Sequence, residues 1–283
     1  MSDRSPALSR RAVLALLLGG GTAAVVNADD GTDGEEGTVD ATTDATTNSE
    51  STAYGPTNAL PFREDFTQDA AEGEFRSVHG ERFDVYPTGW RDTSGVGVYR
   101  PDEVLSVHDG VLDFRLHTVD GEPATAAVVP RIAGYGQTYG RYSVRVRAEA
   151  VVGYKLAFLL WPDSERWPDD GEIDFPDADL TGHLGAFLHH PDPTGSKQEF
   201  GSDVTFEDWH TATIEWSPDL VRFLLDDVEI GSSTTGVPDT SMHFVLQTET
   251  SLSAADDASV APAPHARAHV LVDWLTIQSY PWT

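Results

Sequence analysis

The stretch DGEIDFPDAD, residues Asp170 to Asp179, carries five acidic residues in ten positions around the apolar pair Ile173 and Phe175. Side chains alternate across a β-strand, so Glu172 and Asp174 share one face and Ile173 and Phe175 the other. Pro176 then interrupts the alternation. Proline cannot donate to the ladder, and inside a strand it marks an edge or a bulge. A bulge inserts one residue and resets the pattern, which brings Asp177 onto the face of Glu172 and Asp174.

The surrounding chain also reads as strands. VLSVHDGVLDFRLHTVDG is two short apolar runs about the turn dipeptide Asp109-Gly110. In YGRYSVRVRAEA, Tyr142, Val144 and Val146 fall on one face and Ser143, Arg145 and Arg147 on the other. KLAFLLWP is a continuous apolar run, as expected of a strand buried on both faces. HTATIEWSPDLVRFLLDDVEIGSS gives two strands about Ser217-Pro218-Asp219 and then a tight turn at Asp226-Asp227. HFVLQTET and AHVLVDWLTIQSY are two more. No long segment has the 3.6-residue period of a helix. Many short strands separated by turns predict an all-β sandwich of two antiparallel sheets. Trp209, Trp216 and Trp274 lie in or beside alternating strands, and the expectation for them is the core.

Composition narrows the class of partner. Asp and Glu number 47 against 18 Lys and Arg, for a formal net charge of −29. A charge this negative disfavours nucleic acid and anionic membrane surfaces. Lysine occurs only at Lys155 and Lys197. Abundant acid with almost no lysine suits a protein kept soluble in concentrated salt, where the Debye length shrinks to about 3 Å at 1 M; the expectation is a halophilic source. With no cysteine, disulfides, thiolate catalysis and Cys-ligated zinc are excluded.

Arg10-Arg11 precede an apolar run of roughly 15 residues ending at Val26, with small residues following. The run is too short to span a bilayer comfortably. Residues 1–28 therefore read as a twin-arginine export signal, and the protein as secreted, with no membrane association once the signal is removed. Residues 29–60 are Thr, Asp, Glu and Gly with almost no large apolar side chain, a composition that predicts a disordered linker. Residues 61–283 are left as one large sandwich domain.

Three carboxylates on one side of one strand are chemically suggestive. Crowded like charges push their titrations apart, so that one ionises while another keeps its proton at neutral pH. Retaining glycoside hydrolysis uses such a pair, a nucleophile and a general acid. The bland alternative is surface acid that serves only solubility. A calcium loop of the EF-hand kind lacks its spacing here.

In the order of its landmarks the chain from Phe62 onward resembles glycoside hydrolase family 16, the laminarinase and lichenase family. These are DFTQD, HDGVLDFRL, YGRYSVRVR, AFLLWP, WPDDGEIDF, WHTATIEWSPDLVRFLLDD and VDWLTIQSY. The resemblance implies a concanavalin-like β-jelly roll and a secreted, endo-acting retaining hydrolase of a β-linked polysaccharide, a β-1,3-glucan or mixed-linkage glucan. It implies Glu172 as nucleophile, Asp174 as assisting carboxylate, and Asp177 at the position of the acid/base, where the family has Glu. The missing methylene in Asp177 moves its carboxyl back by about 1.5 Å; Asp179 is a possible substitute, and a lectin-like binding protein with impaired catalysis is the alternative. Trp161 and Trp167 are implied as sugar contacts. His189, His190, Arg131, Tyr135, Gln247 and Glu249 are further cleft candidates. Catalysis is expected to need no cofactor. A structural calcium is implied at Glu64, Gly110 and Asp273. The expected partner is the polysaccharide alone, bound by a monomer.

Overall fold

The structure, a computed structural model, describes residues 62–282. The export signal and linker expected over residues 1–28 and 29–60 lie outside the described residues. The strands run β1 (Phe62–Glu64), β2 (Phe83–Val85), β3 (Val98–Tyr99), β4 (Leu105–His108), β5 (Val111–Val119), β6 (Glu122–Thr125), β7 (Ala127–Pro130), β8 (Gly140–Ala148) and β9 (Tyr154–Pro162). They continue with β10 (Glu172–Asp179), β11 (His183–His189), β12 (Lys197–Thr205), β13 (His210–Ser217), β14 (Leu220–Leu225), β15 (Val228–Ser233), β16 (Met242–Thr250) and β17 (Ala268–Ser279). Among the described residues the α-helical pieces are short: α1 (Phe75–His79) and α2 (Pro101–Val104).

The turns follow from local chemistry. Asp109 and Gly110 both take positive φ, 53° and 77°, between His108 and its partner Val111. A two-residue hairpin with positive φ at both positions matches the right-handed twist of its strands. Asp226 and Asp227 do the same between Leu225 and Val228, with φ of 51° and 64°. Asp226 then ties the turn down, its Oδ1 accepting from the Thr211 amide at 2.7 Å.

Two sheets stack face to face. The seven-stranded sheet has the order β12-β11-β10-β9-β16-β7-β2. The ten-stranded sheet follows β15-β14-β13-β8-β17-β5-β6-β3, with β1 beside β17 and β4 beside β5. Every strand pair is antiparallel except β3 with β6. The core fills the space between: Tyr142, Val144 and Val146 of β8 meet Phe158 and Leu160 of β9, Phe175 of β10 and Phe244 of β16. Trp216 is fully buried there, its Nε1 donating to the Pro238 carbonyl at 2.9 Å. Trp216→Ala is expected to destabilise the fold by about 3–5 kcal/mol, read as a lower urea midpoint with an unchanged slope.

The other two tryptophans correct the expectation of core placement. Trp209 is half-buried on the outer face of the ten-stranded sheet, with the Arg145 and Arg147 guanidiniums 4.9 and 5.2 Å from its ring. In β17 the register slips between Val272 and Trp274. The inserted Asp273 lets Val272 and Leu275 both face the core and turns Trp274 outward beside Arg145.

At the positions expected to hold calcium, both carboxylates are engaged by arginines. The Glu64 carboxylate accepts from the Phe66 amide at 3.0 Å and pairs with Arg82. Asp273 pairs with Arg145, and Gly110 is the second residue of the hairpin turn. Each carboxylate has a guanidinium that a cation bound through it would have to displace.

Candidate active site

The register of β10 settles where its carboxylates point. Asp174 lies opposite Leu159 of β9, and Asp177 opposite Ala157. Three residues on β10 therefore span two on β9. The same slip occurs against β11, where Asp174 faces Phe187 and Asp177 faces Gly185. The extra residue is taken up at Pro176, which follows a cis peptide bond. Asp177 thus returns to the face of Glu172 and Asp174, while Ile173 and Phe175 stay in the core.

That face is the floor of an open trough. One cavity of about 440 Å³ is lined by Glu172, Asp174, Asp177, Trp161, Trp167 and His189. A second, of about 550 Å³, adjoins it and contains Asp177, Asp179 and His183. The two share Lys155, Asp177, Phe187 and Leu252, which puts Asp177 near the middle of a continuous groove. Asp179, the possible substitute acid, sits exposed at the end of β10 in the second cavity only.

Burial and charge distinguish the three acids. Glu172 and Asp174 are each 3% exposed, and Asp177 is half-buried. Nε2 of His189 lies 3.4 Å from Asp174 Oδ2, whose partner oxygen Oδ1 is buried without a hydrogen bond. Burial opposes a charge on His189, yet the hydrogen bond to Asp174 and the charges of Asp174 and Glu172 outweigh it and raise the imidazole pKa. Ligand atoms of Glu172, Asp174 and His189 lie within 4.8 Å of one another, close enough to hold a metal ion. Two carboxylates beside one imidazole are equally suited to hold and move a proton.

The aromatic candidates divide between floor and rim. Trp161 is buried, and its Nε1 donates to Glu165 Oε2 at 2.9 Å. Trp167 is 37% exposed and stacks on Trp161 with centroids 6.5 Å apart and planes at 14°. It offers the flat, accessible surface that a sugar ring needs.

Of the paired histidines only His189 reaches the cleft. His190 falls past the end of β11, hydrogen bonds to Ser196 Oγ at 3.2 Å, and packs against Gly236. Arg131 and Tyr135 lie off the carboxylate cavity. Both follow β7, three strands from β10, or roughly 14 Å at ~4.8 Å per strand. Arg131 pairs with Asp84, and Tyr135 packs on His243 with ring centroids 4.5 Å apart. Burial and the nearby Glu165 and Asp163 push the Tyr135 hydroxyl pKa up.

Gln247 and Glu249 point to the correct face, opposite Ala157 and Lys155, but are completely covered. The Thr93 amide donates to Glu249 Oε2 at 3.2 Å, and Gln247 Nε2 reaches Thr93 Oγ1 at 3.5 Å. They support the loop that forms one wall rather than contact a ligand. Asp92 anchors the same loop, its Oδ2 accepting from the Thr250 amide and hydroxyl at 2.7 and 2.8 Å. Burial and Glu249 push the Asp92 carboxyl pKa up. Lys155, Lys197, Phe187 and Thr93 also line the cavity and were not among the residues the sequence pointed to.

Known proteins supply the remaining observation. The beta-glucanase of Rhodothermus marinus is 30% identical over 133 residues, 41% of this chain and 45% of that protein. The glucan endo-1,3-beta-glucosidase of Cryptopygus antarcticus is 32% identical over 101 residues, 31% of this chain and 37% of that protein. The chain thus spans less than half the length of either relative. Among solved structures, the laminarinase from Rhodothermus marinus superposes with a TM-score of 0.63 at 20% identity, covering 78% of this chain and 99% of that one. The Bacillus licheniformis beta-glucanase gives 0.62 at 14% identity, covering 78% and 99%. These likenesses carry the jelly-roll fold. The model of the glycosyl hydrolases family 16 matches residues 133–274, half of the chain, and that span contains β8 to β16, the bulged carboxylate strand and both tryptophans of the cleft. On that match, laid over the geometry of β10, the chain belongs to glycosyl hydrolases family 16.

Proposed function

We propose that this protein is a secreted, endo-acting, retaining glycoside hydrolase of a β-glucan. The single observation that carries the reading is the slip at Pro176, which sets Glu172, Asp174 and Asp177 on one face of an open trough. A groove that runs through two adjoining cavities suits several consecutive sugar units of a polymer, and Trp167 supplies an apolar platform beside the acids. Relatives named beta-glucanase and glucan endo-1,3-beta-glucosidase support the choice of polymer.

In this reading Glu172 attacks the anomeric carbon while Asp177 gives its proton to the departing glycosidic oxygen. The glycosidic bond breaks as the Glu172 ester forms. Asp177, now a carboxylate, takes a proton from water, and the resulting hydroxide equivalent breaks the ester with a second inversion. Asp174, between the two on the same face and close to His189, tunes the charge of the nucleophile.

The test is release of new reducing ends from laminarin or lichenan by the full-length protein in multimolar salt, a medium chosen for its net charge of −29. Release from either supports the reading. Binding of both polysaccharides without release from any member of a wider panel would overturn it in favour of a lectin-like protein.

A further inference from the structure

Both lysines of the chain, Lys155 and Lys197, line the trough. They are not equivalent. Lys197 is exposed, pairs with Glu199 at 2.7 Å and lies over the Phe187 ring. The Lys155 side chain is only 7% exposed. Its Nζ stands 2.8 Å from Asp177 Oδ1, 3.2 Å from Oδ2 and 3.6 Å from Glu249 Oε1. The ammonium is therefore held between the carboxylate at the centre of the groove and a fully buried acid on β16. Exposed ion pairs are screened and count for little; one shielded this well is screened much less.

The other charges around Asp177 are mostly negative. Glu172, Asp174 and Asp179 share its strand, Glu249 of β16 contacts the same ammonium, and Glu199 of β12 borders the groove with Lys197 beyond. His183 and His189 of β11 border the two halves of the groove. Without a cation in contact, this company would favour the protonated form of Asp177.

We propose that Lys155 is a positioning residue that holds Asp177 ionised and thereby sets the pH above which the acid step fails. The inference rests on Asp177 serving as acid/base in the reaction proposed above. The two half-reactions ask opposite things of that group. Bond cleavage needs its proton, and breakdown of the ester needs its carboxylate. The ammonium favours the second at the expense of the first, so activity is displaced toward acid pH.

The experiment compares the full-length protein with Lys155→Met and Lys155→Arg. The Asp177 carboxyl carbon is followed by NMR titration without substrate, and the alkaline limb of kcat/KM is measured on the polysaccharide that supports turnover. In Lys155→Met the NMR midpoint and the alkaline limb are both expected to rise by about one pH unit or more, while Lys155→Arg leaves both near wild type. Lys155→Met leaves Glu249 buried beside no ammonium, so the double variant Lys155→Met/Glu249→Gln is measured alongside and is expected to show the same shift in a better-folded background. An unmoved Asp177 midpoint in both Met variants overturns the proposal, as does a moved midpoint with an unmoved alkaline limb. A moved midpoint in a protein that hydrolyses nothing supports the electrostatic assignment and sinks the hydrolase reading instead.

Discussion

Glu172→Gln is expected to lower kcat on a β-glucan by on the order of 10⁴-fold or more, with little change in KM. The amide has nearly the volume of the carboxylate and occupies the same strand face, but it cannot form the ester. Glu172 is almost wholly buried, opposite His189 across the β10–β11 ladder and one residue before the core side chain Ile173. A larger substitution would disturb packing, and Gln avoids that. It also removes one of two neighbouring negative charges, so thermal stability is expected to hold or rise slightly. Steady-state kinetics beside a melting curve checks both statements. Loss of activity together with a large fall in melting temperature would point to a structural role.

The second large effect is expected at Asp177. Asp177→Asn removes the transferable proton while keeping size, and kcat/KM on polysaccharide is expected to fall by about 10²–10⁴-fold. The fall should be much smaller for an aryl glycoside whose leaving group departs without protonation. That contrast separates an acid from a residue that merely shapes the groove, because a shape defect would slow both substrates. Asp177→Glu addresses reach. The added methylene advances the carboxyl by about 1.5 Å, and misplacement of about 1 Å can cost ~100-fold. A gain of up to that size is the expected outcome, measured on the same polysaccharide.

Much of the fold was legible because strands advertise themselves by alternation. β8, β13 and β14 each place apolar residues at every second position, and hairpin turns carry Asp-Gly between β4 and β5, Pro-Asp between β13 and β14, and Asp-Asp between β14 and β15. The bulge in β10 was legible for a different reason. Pro176 has no amide proton, so the break in the ladder is written in the residue type. The bulge in β17 has no such mark. LVDWL reads as unbroken alternation, and the insertion of Asp273 alone sends Trp274 to the surface. β12 is not legible in the sequence because it is an edge strand with no buried side chain and hence no apolar period to read.

The site shows the same division. Alternation says which face a side chain takes, but not what lies above it. Gln247 and Glu249 share the face of the carboxylates, yet the loop pinned by Asp92 covers them, and Asp92 is far from them in sequence. Lys155 opens the apolar run KLAFLLWP and looks there like a strand-end charge. Its importance appears only when the β9–β10 pairing brings it to Asp177. His189 and His190 are neighbours in sequence, and the end of β11 between them decides which one meets Asp174.

In the proposed reaction, two carboxylates brought together across a bulge carry out a double displacement on a β-linked glucan. The most direct test is proton NMR of the anomer first released when the protein cleaves laminarin or lichenan, recorded before mutarotation. The β-anomer is expected as the first product, with the α-anomer growing in later. First appearance of the α-anomer would contradict the double displacement, because that outcome requires a single displacement by water rather than an ester on Glu172.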